Sequence, residues 1–308
     1  MHFKTLLSAA LAVAGTFAQR DYGDGQGGGL AGLLSSQPDL SVLKDLISGF
    51  PDLLKTLNEA KDITIFAPCN KAFALLNSTG QLATLVKNED YVKALLTYHV
   101  VHDVYEAKDF KTTPQFPKTF LVDQPTYTRV SGGQVVELKL KGSTAVVISG
   151  GLRMAKVVKA DIHFGGGVIH VIGSLLSIPA KPSVTVARAQ LSALADSLKV
   201  TGLVETLDTA CDLTIFAPDN AAFRDLGTSL NGLSNDQIAD ILKYHVIVGT
   251  IGYSSILTNA SFPTLLGPPV TITVRANGKV FVNAAEVVIP DILVSNGVAH
   301  VIGSVLDP

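Results

Sequence analysis

Tryptophan is absent from the 308 residues, cysteine occurs twice, and charged residues make up only 16%. Two cysteines exclude a disulfide-dense scaffold. A net charge of −2 gives no electrostatic ground for a nucleic-acid partner. Past the N-terminus no uninterrupted apolar run reaches the roughly 18 residues of a membrane helix, and no hydrophobic tail follows the strand-like stretch that leads into Asp307-Pro308. Neither a membrane span nor a GPI anchor is therefore expected. Gly-x-Ser-x-Gly, His-Glu-x-x-His and cysteine–histidine metal spacings are all missing, so no catalytic residue, metal or cofactor is assigned. What the chain has in quantity is apolar side chains, 47% of the total, enough to fill cores and too many for a disordered chain. The length suggests two domains.

Residues 1–18 read as a secretory signal peptide: a weakly basic start at His2 and Lys4, an apolar stretch from Leu6, and small residues at Thr16 and Ala18 where a signal peptidase cuts. Residues 19–33 form a glycine-rich tether with little to bury. Two sequons, at Asn77 and Asn259, are candidate glycosylation sites consistent with secretion.

An internal repeat organises the rest. Asp62-Ile-Thr-Ile-Phe-Ala-Pro-Cys-Asn-Lys-Ala-Phe73 returns as Asp212-Leu-Thr-Ile-Phe-Ala-Pro-Asp-Asn-Ala-Ala-Phe223. Tyr98-His99 returns as Tyr244-His245, and Gly167-Val-Ile-His-Val-Ile-Gly-Ser174 as Gly297-Val-Ala-His-Val-Ile-Gly-Ser304. The offset shrinks from 150 to 146 to 130 residues, so the second copy is a trimmed version of the first. Thr-Ile-Phe-Ala alternates as a strand does, proline stops it, and Asn70 and Asn220 stand where a helix N-cap belongs. Leu191, Leu194, Ala195 and Leu198 form one helical face. The back half of each copy alternates as strands, with a hairpin signal at Asn277-Gly278. Helices first and strands later argue for an α+β unit, used twice: 34–180 and 181–308, joined near residues 180–183.

These three motifs, each present twice and in order, resemble the fasciclin-type (FAS1) family over nearly all of the mature chain. The resemblance implies two tandem modules, each a β-wedge or sandwich beside a small helical cluster, and a non-catalytic extracellular adhesion or matrix role. It also implies that segments around Tyr98-His99 and Tyr244-His245, and the Asp-Ile pairs Asp161-Ile162 and Pro290-Asp291-Ile292, are interaction candidates. The first copy has Ala160 in place of proline, so an adhesive reading favours the second.

Physical chemistry sets a plainer reading beside each candidate. His170 shares a strand face with Val168 and Ile172, as His300 does with Val298 and Ile302, so these rings are expected in the core with a nitrogen bonded to a backbone carbonyl. His99, His102 and Asp103 have metal-like spacing but lack a further ligand, and Val248 replaces His102 in the second copy. Cys69 and Cys211 are not repeat-equivalent and are expected unpaired and largely buried, with an intermolecular bridge as the alternative. Asp291 is expected to be solvated, so that its loss costs less than about 1 kcal/mol. Two functions from different classes follow. One is a secreted interaction protein meeting an extracellular protein or polysaccharide. The other is a secreted accessory of aromatic polyketide or pigment biosynthesis that binds an apolar small molecule or scaffolds oxidases. A hydrolase without a recognisable motif ranks behind both.

Overall fold

The computed structural model describes residues 29–78, 80–226 and 232–308. The signal peptide, residues 19–28 of the tether and Thr79 of the first sequon lie outside them. The chain divides into two compact units. One holds the described residues up to Leu121 together with Val135–Ile148 and Met154–Leu176; the other holds Val122–Gln134, Ser149–Arg153 and Ser177–Pro308. The second unit thus takes a segment from the first repeat. Arg129 N donates to Ser295 O (2.7 Å), Gln134 Nε2 to Val294 O (3.1 Å), and Ser131 N to Asp212 Oδ1 (2.8 Å).

In the first unit, helices α1 (Leu30–Ser35), α2 (Ser41–Ser48) and α3 (Pro51–Glu59) precede strand β1 (Ile63–Pro68). Helices α4 (Asn70–Ser78), α5 (Gln81–Leu85) and α6 (Glu89–Tyr98) follow, then strands β2 (Val100–His102), β3 (Glu137–Lys141), β4 (Thr144–Ser149), β5 (Arg153–Phe164) and β6 (Gly167–Ile172). The sheet order is β2-β1-β6-β5-β4-β3, with β1 and β6 parallel. The sheet curls toward closure because residues 115–120 run between its edges: His102 N donates to Lys118 O (3.0 Å) on the β2 side and Leu138 N to Gln115 O (2.8 Å) on the β3 side.

The second unit repeats the plan with α7 (Pro182–Arg188), α8 (Ser192–Val200), α9 (Val204–Thr209), β7 (Leu213–Pro218), α10 (Asn220–Asp225), α11 (Asn235–Tyr244), β8 (Val246–Ile247), β9 (Ala260–Pro263), β10 (Pro269–Val274), β11 (Val280–Val282), β12 (Ala285–Val294) and β13 (Gly297–Ile302). Its sheet runs β8-β7-β13-β12-β11-β10-β9, and Leu265 N reaches back to Val246 O (2.7 Å) to bring the two edges together. Both units are α+β.

The repeated strand β1/β7 is buried along its whole length. Its period of two splits the core: Ile63, Ile65 and Ala67, like Leu213, Ile215 and Ala217, pack against the helices, while Phe216 enters a cluster inside the curled sheet with Val270, Ile272 and Ile302. The closing strand starts at a glycine for a steric reason. Gly167 and Gly297 have φ of 153° and 151°, and a Cβ there would lie 1.9 Å from Ile63 O and 2.0 Å from Leu213 O.

One expectation is corrected. Asn70 and Asn220 do not cap their own helices. Asn220 Oδ1 accepts from Ala193 N (3.1 Å) in the first turn of α8 and its Nδ2 donates to Gln190 O (2.9 Å); Asn70 does the same to Val42 N (3.1 Å) and Pro38 O (3.0 Å). Each asparagine ties the helix after β1 or β7 to an earlier helix. The cap of α10 is Asp219, whose Oδ1 accepts from Ala222 N (2.7 Å).

Candidate functional site

The Tyr-His pair ends α6 and α11, and its side chains point inward. Tyr98 is fully buried and donates to Val135 O (2.9 Å); Tyr244 donates to Pro269 O (3.1 Å) and accepts from Asn283 Nδ2 (3.0 Å). His99 Nδ1 donates to Leu95 O (2.7 Å), and its Nε2 accepts from Leu176 N (3.0 Å). His245 repeats this with Ile241 O (2.7 Å) and Leu306 N (2.8 Å). A carbonyl can only accept and an amide N–H can only donate, so the tautomer is fixed and the ring is neutral. Burial holds both pKa values down at about 4. Each ring is a bridge from a helix C-terminus to the segment after the closing strand, and neither has a nitrogen left for a partner.

His170 and His300 form a second matched pair. Nε2 donates to Tyr105 O (2.6 Å) and Gly252 O (2.8 Å); Nδ1 accepts from Asp161 N and Asp291 N, each at 3.2 Å. Phe66 and Phe216 stack on these rings at 5.8 Å. Burial again lowers both imidazole pKa values.

The two aspartates that donate to these rings occupy β-bulges in β5 and β12, with φ of 57° and 62°. Aspartate tolerates this left-handed conformation better than most residues. Here the repeats part company. Asp291 is only 2% exposed: its Oδ1 accepts from Ser254 N (2.8 Å) and its Oδ2 from Ser254 Oγ. The Asp161 side chain is 38% exposed and accepts from Ala107 N (2.9 Å). The expectation of a solvated Asp291 is therefore overturned, because a serine 37 residues earlier in the chain supplies both donors. Ile292 is buried in the core of the second unit and Ile162 is partly buried against the core of the first, while Pro290 is exposed.

A profile described as Fasciclin domain matches residues 38–179 and 189–308. The chain belongs to the fasciclin domain family. Among its fasciclin relatives, a "Fasciclin-like arabinogalactan protein" of Arthroderma benhamiae is 31% identical over 277 residues, covering 89% of this chain and 65% of that protein. "Fasciclin-like arabinogalactan protein elcF" of Phaeosphaeria nodorum is 28% identical, covering 90% and 88%. "Transforming growth factor-beta-induced protein ig-h3" of Sus scrofa is 26% identical, covering 89% and 37%. The fasciclin relatives are not enzymes.

Among the described residues of this fasciclin protein no group of three or more histidine, cysteine, aspartate and glutamate side chains is arranged to hold a metal. His99 is buried, whereas His102 is exposed and stacks on Phe120 at 4.3 Å. Both cysteines are free, but only Cys69 is half-buried; Cys211 is exposed, because it sits on the bend ahead of β7 and not in the strand. An apolar cavity of about 20 Å³ lies among Leu194, Leu198, Leu207 and Ile215, room for a water-sized molecule only. Asn77 is exposed near the end of α4; Asn259 is exposed ahead of β9, with Oδ1 accepting from Val274 N (2.7 Å).

Sequence reasoning passed over the residues that face solvent beside the Asp-Ile pairs. Val158 is 61% exposed, its repeat equivalent Val288 50% and Ile289 44%. The signal was the repeat-matched place of Val158 and Val288; Ile289 stands where the first copy has Lys159. Ser254 carried none.

Proposed function

We propose that this fasciclin protein is a secreted, non-catalytic interaction protein of the extracellular matrix, cell surface or cell wall. Its N-terminal 18 residues act as the signal peptide and its two modules are joined in sequence near residues 180–183. The observation that supports this reading is a division of labour on β5 and β12. The polar groups of the repeated motifs are spent on internal bonds, while Val158, Val288, Ile289 and Pro290 stand in solvent on the same strand of each module. Exposed apolar residues at a repeat-matched position, on rigid strands held by buried histidines, suit contact with an extracellular protein or polysaccharide. On this reading Asp161 and Asp291 shape the bulge, and Tyr98, His99, Tyr244 and His245 hold the scaffold that presents it. N-glycans at Asn259 or Asn77 accompany secretion.

Capture from culture medium and from wall or matrix fractions, with the full chain as bait, tests the reading. Recovery of wall polymer or surface protein supports it. Recovery of secreted oxidases or pigment alone would favour the accessory role in small-molecule biosynthesis, and substrate turnover by the purified chain would overturn the non-catalytic reading. A native protein that still begins at Met1 would contradict secretion.

A further inference from the structure

We propose that the turn at residues 105–109 of the first unit is a latch released by acid, and that its counterpart in the second unit is locked. The first-unit turn is tied to the sheet by three bonds: Tyr105 N donates to Thr64 Oγ1 (2.9 Å) on β1, and the other two involve His170 and Asp161. His170 Nε2 donates to Tyr105 O (2.6 Å), and Asp161 Oδ1 accepts from Ala107 N (2.9 Å). Between them, His170 Nδ1 accepts the Asp161 N–H, with Asp161 Oδ1 only 4.0 Å from that nitrogen. A proton taken from solvent at Nδ1 turns this acceptor into a donor aimed at another donor. The nearest group able to receive it is the Asp161 carboxylate, which is partly exposed and committed to a single backbone N–H. When the carboxylate turns to the imidazolium it leaves Ala107 N, and the turn loses its tie to the bulge.

The surroundings favour that movement. The charged groups facing His170 are Asp161 and His163 on β5 and Glu106 on the turn; Glu106 in turn pairs with Lys108 and lies 3.9 Å from His163. Asp109 Oδ2 accepts from Glu106 N (3.0 Å), and Asp103 lies near Tyr105. From β1 and the end of the turn the ring meets Phe66 and Phe110. Burial keeps the imidazole below its ordinary range, so the neutral, closed form is the one present at neutral pH and opening follows as pH falls. In the second unit His300 has the same two bonds, but the Asp291 carboxylate is buried and gripped by Ser254 N and Oγ. Turning it would break two bonds, where turning the Asp161 carboxylate breaks one.

The test is amide exchange and imidazole ¹⁵N shifts of the full-length protein between pH 7.5 and 4.5, corrected for intrinsic exchange. Protection of Ala107 N should fall about tenfold or more with the midpoint of His170, while Ser254 N keeps its protection. In Asp161→Asn the amide oxygen still serves Ala107 N without a charge to attract the proton; the His170 midpoint should drop by about one unit or more and the Ala107 loss should vanish. Ser254→Ala, which removes one of the two bonds on Asp291, should make the second turn acid-sensitive. Constant Ala107 protection, equal losses at Ala107 and Ser254, or an unmoved His170 midpoint in Asp161→Asn would each overturn the latch.

Discussion

Asp291→Ala tests whether the Asp-Ile segment is scaffold or free loop. The substitution removes the carboxylate that accepts both Ser254 N and Ser254 Oγ. It also puts alanine at φ 62°, a left-handed conformation that the short polar side chain of aspartate eases and a methyl group does not, a difference of about 1 kcal/mol. A backbone N–H stranded in a half-buried site costs about 1–3 kcal/mol, whereas the hydroxyl can turn to water. The sum is a loss of about 3 kcal/mol. Asp161→Ala meets the same backbone cost at φ 57° but gives up only one bond, at an exposed site, and should cost about 2 kcal/mol. For a domain of this size about 3 kcal/mol lowers the melting temperature by roughly 6–12 °C. Differential scanning calorimetry of the two variants and of Asp291→Asn, which keeps an acceptor and tolerates the left-handed backbone, separates the terms. A melt for Asp291→Ala within about 2 °C of the parent, or an equal drop for Asp161→Ala, would refute the reasoning.

Stability should also fall on acidification. His99 and His245 are held at about 4 by burial, below the ordinary value of about 6.5, so the unfolded chain binds the extra protons. Their contribution is complete above pH 6.5 and lost as pH falls toward 4, about 3 kcal/mol for each ring; urea unfolding at pH 7, 5.5 and 4.5 checks it, and a flat profile would contradict it. Gly297→Ala should prevent the second unit from folding, because its Cβ would lie 2.0 Å from Leu213 O; native-like calorimetry of that variant would count against the β7–β13 packing. Ser261→Ala should abolish any endoglycosidase-sensitive mass shift at Asn259 yet leave the melt within about 1–2 °C, since the Asn259–Val274 bond survives.

The parts of this fold that were legible in the sequence are those fixed by local pattern. Thr-Ile-Phe-Ala-Pro shows its strand and its stop, and the alternation of Val168, His170 and Ile172 already placed the histidine in the core. The parts that stayed hidden depend on partners far along the chain. Asp291 looked like a surface carboxylate beside a proline until Ser254 closed on it. Asn220 had the composition of a cap but caps the helix that begins at Ser192, which only packing of α8 against α10 reveals. Asn296 stands where the first repeat has Gly166, and its Nδ2 donates to Leu207 O (2.7 Å) and Ala210 O (2.8 Å) at the end of α9; no spacing rule announces such a contact. The exposed valines were invisible for the opposite reason: a strand pattern marks apolar residues as core, and a bulge turns some of them outward.

The most direct test of the account is retention of the full-length protein on washed wall or matrix material from the producing cells, measured for the parent, Val288→Lys and Asp291→Asn alongside their melting curves. The account predicts saturable retention of the parent, at least tenfold weaker retention of Val288→Lys with an unchanged melt, and parent-like retention of Asp291→Asn. A parent protein that is not retained, or a folded Asp291→Asn that loses retention while Val288→Lys keeps it, would contradict the claim that the aspartate builds the surface and the apolar strand face makes the contact.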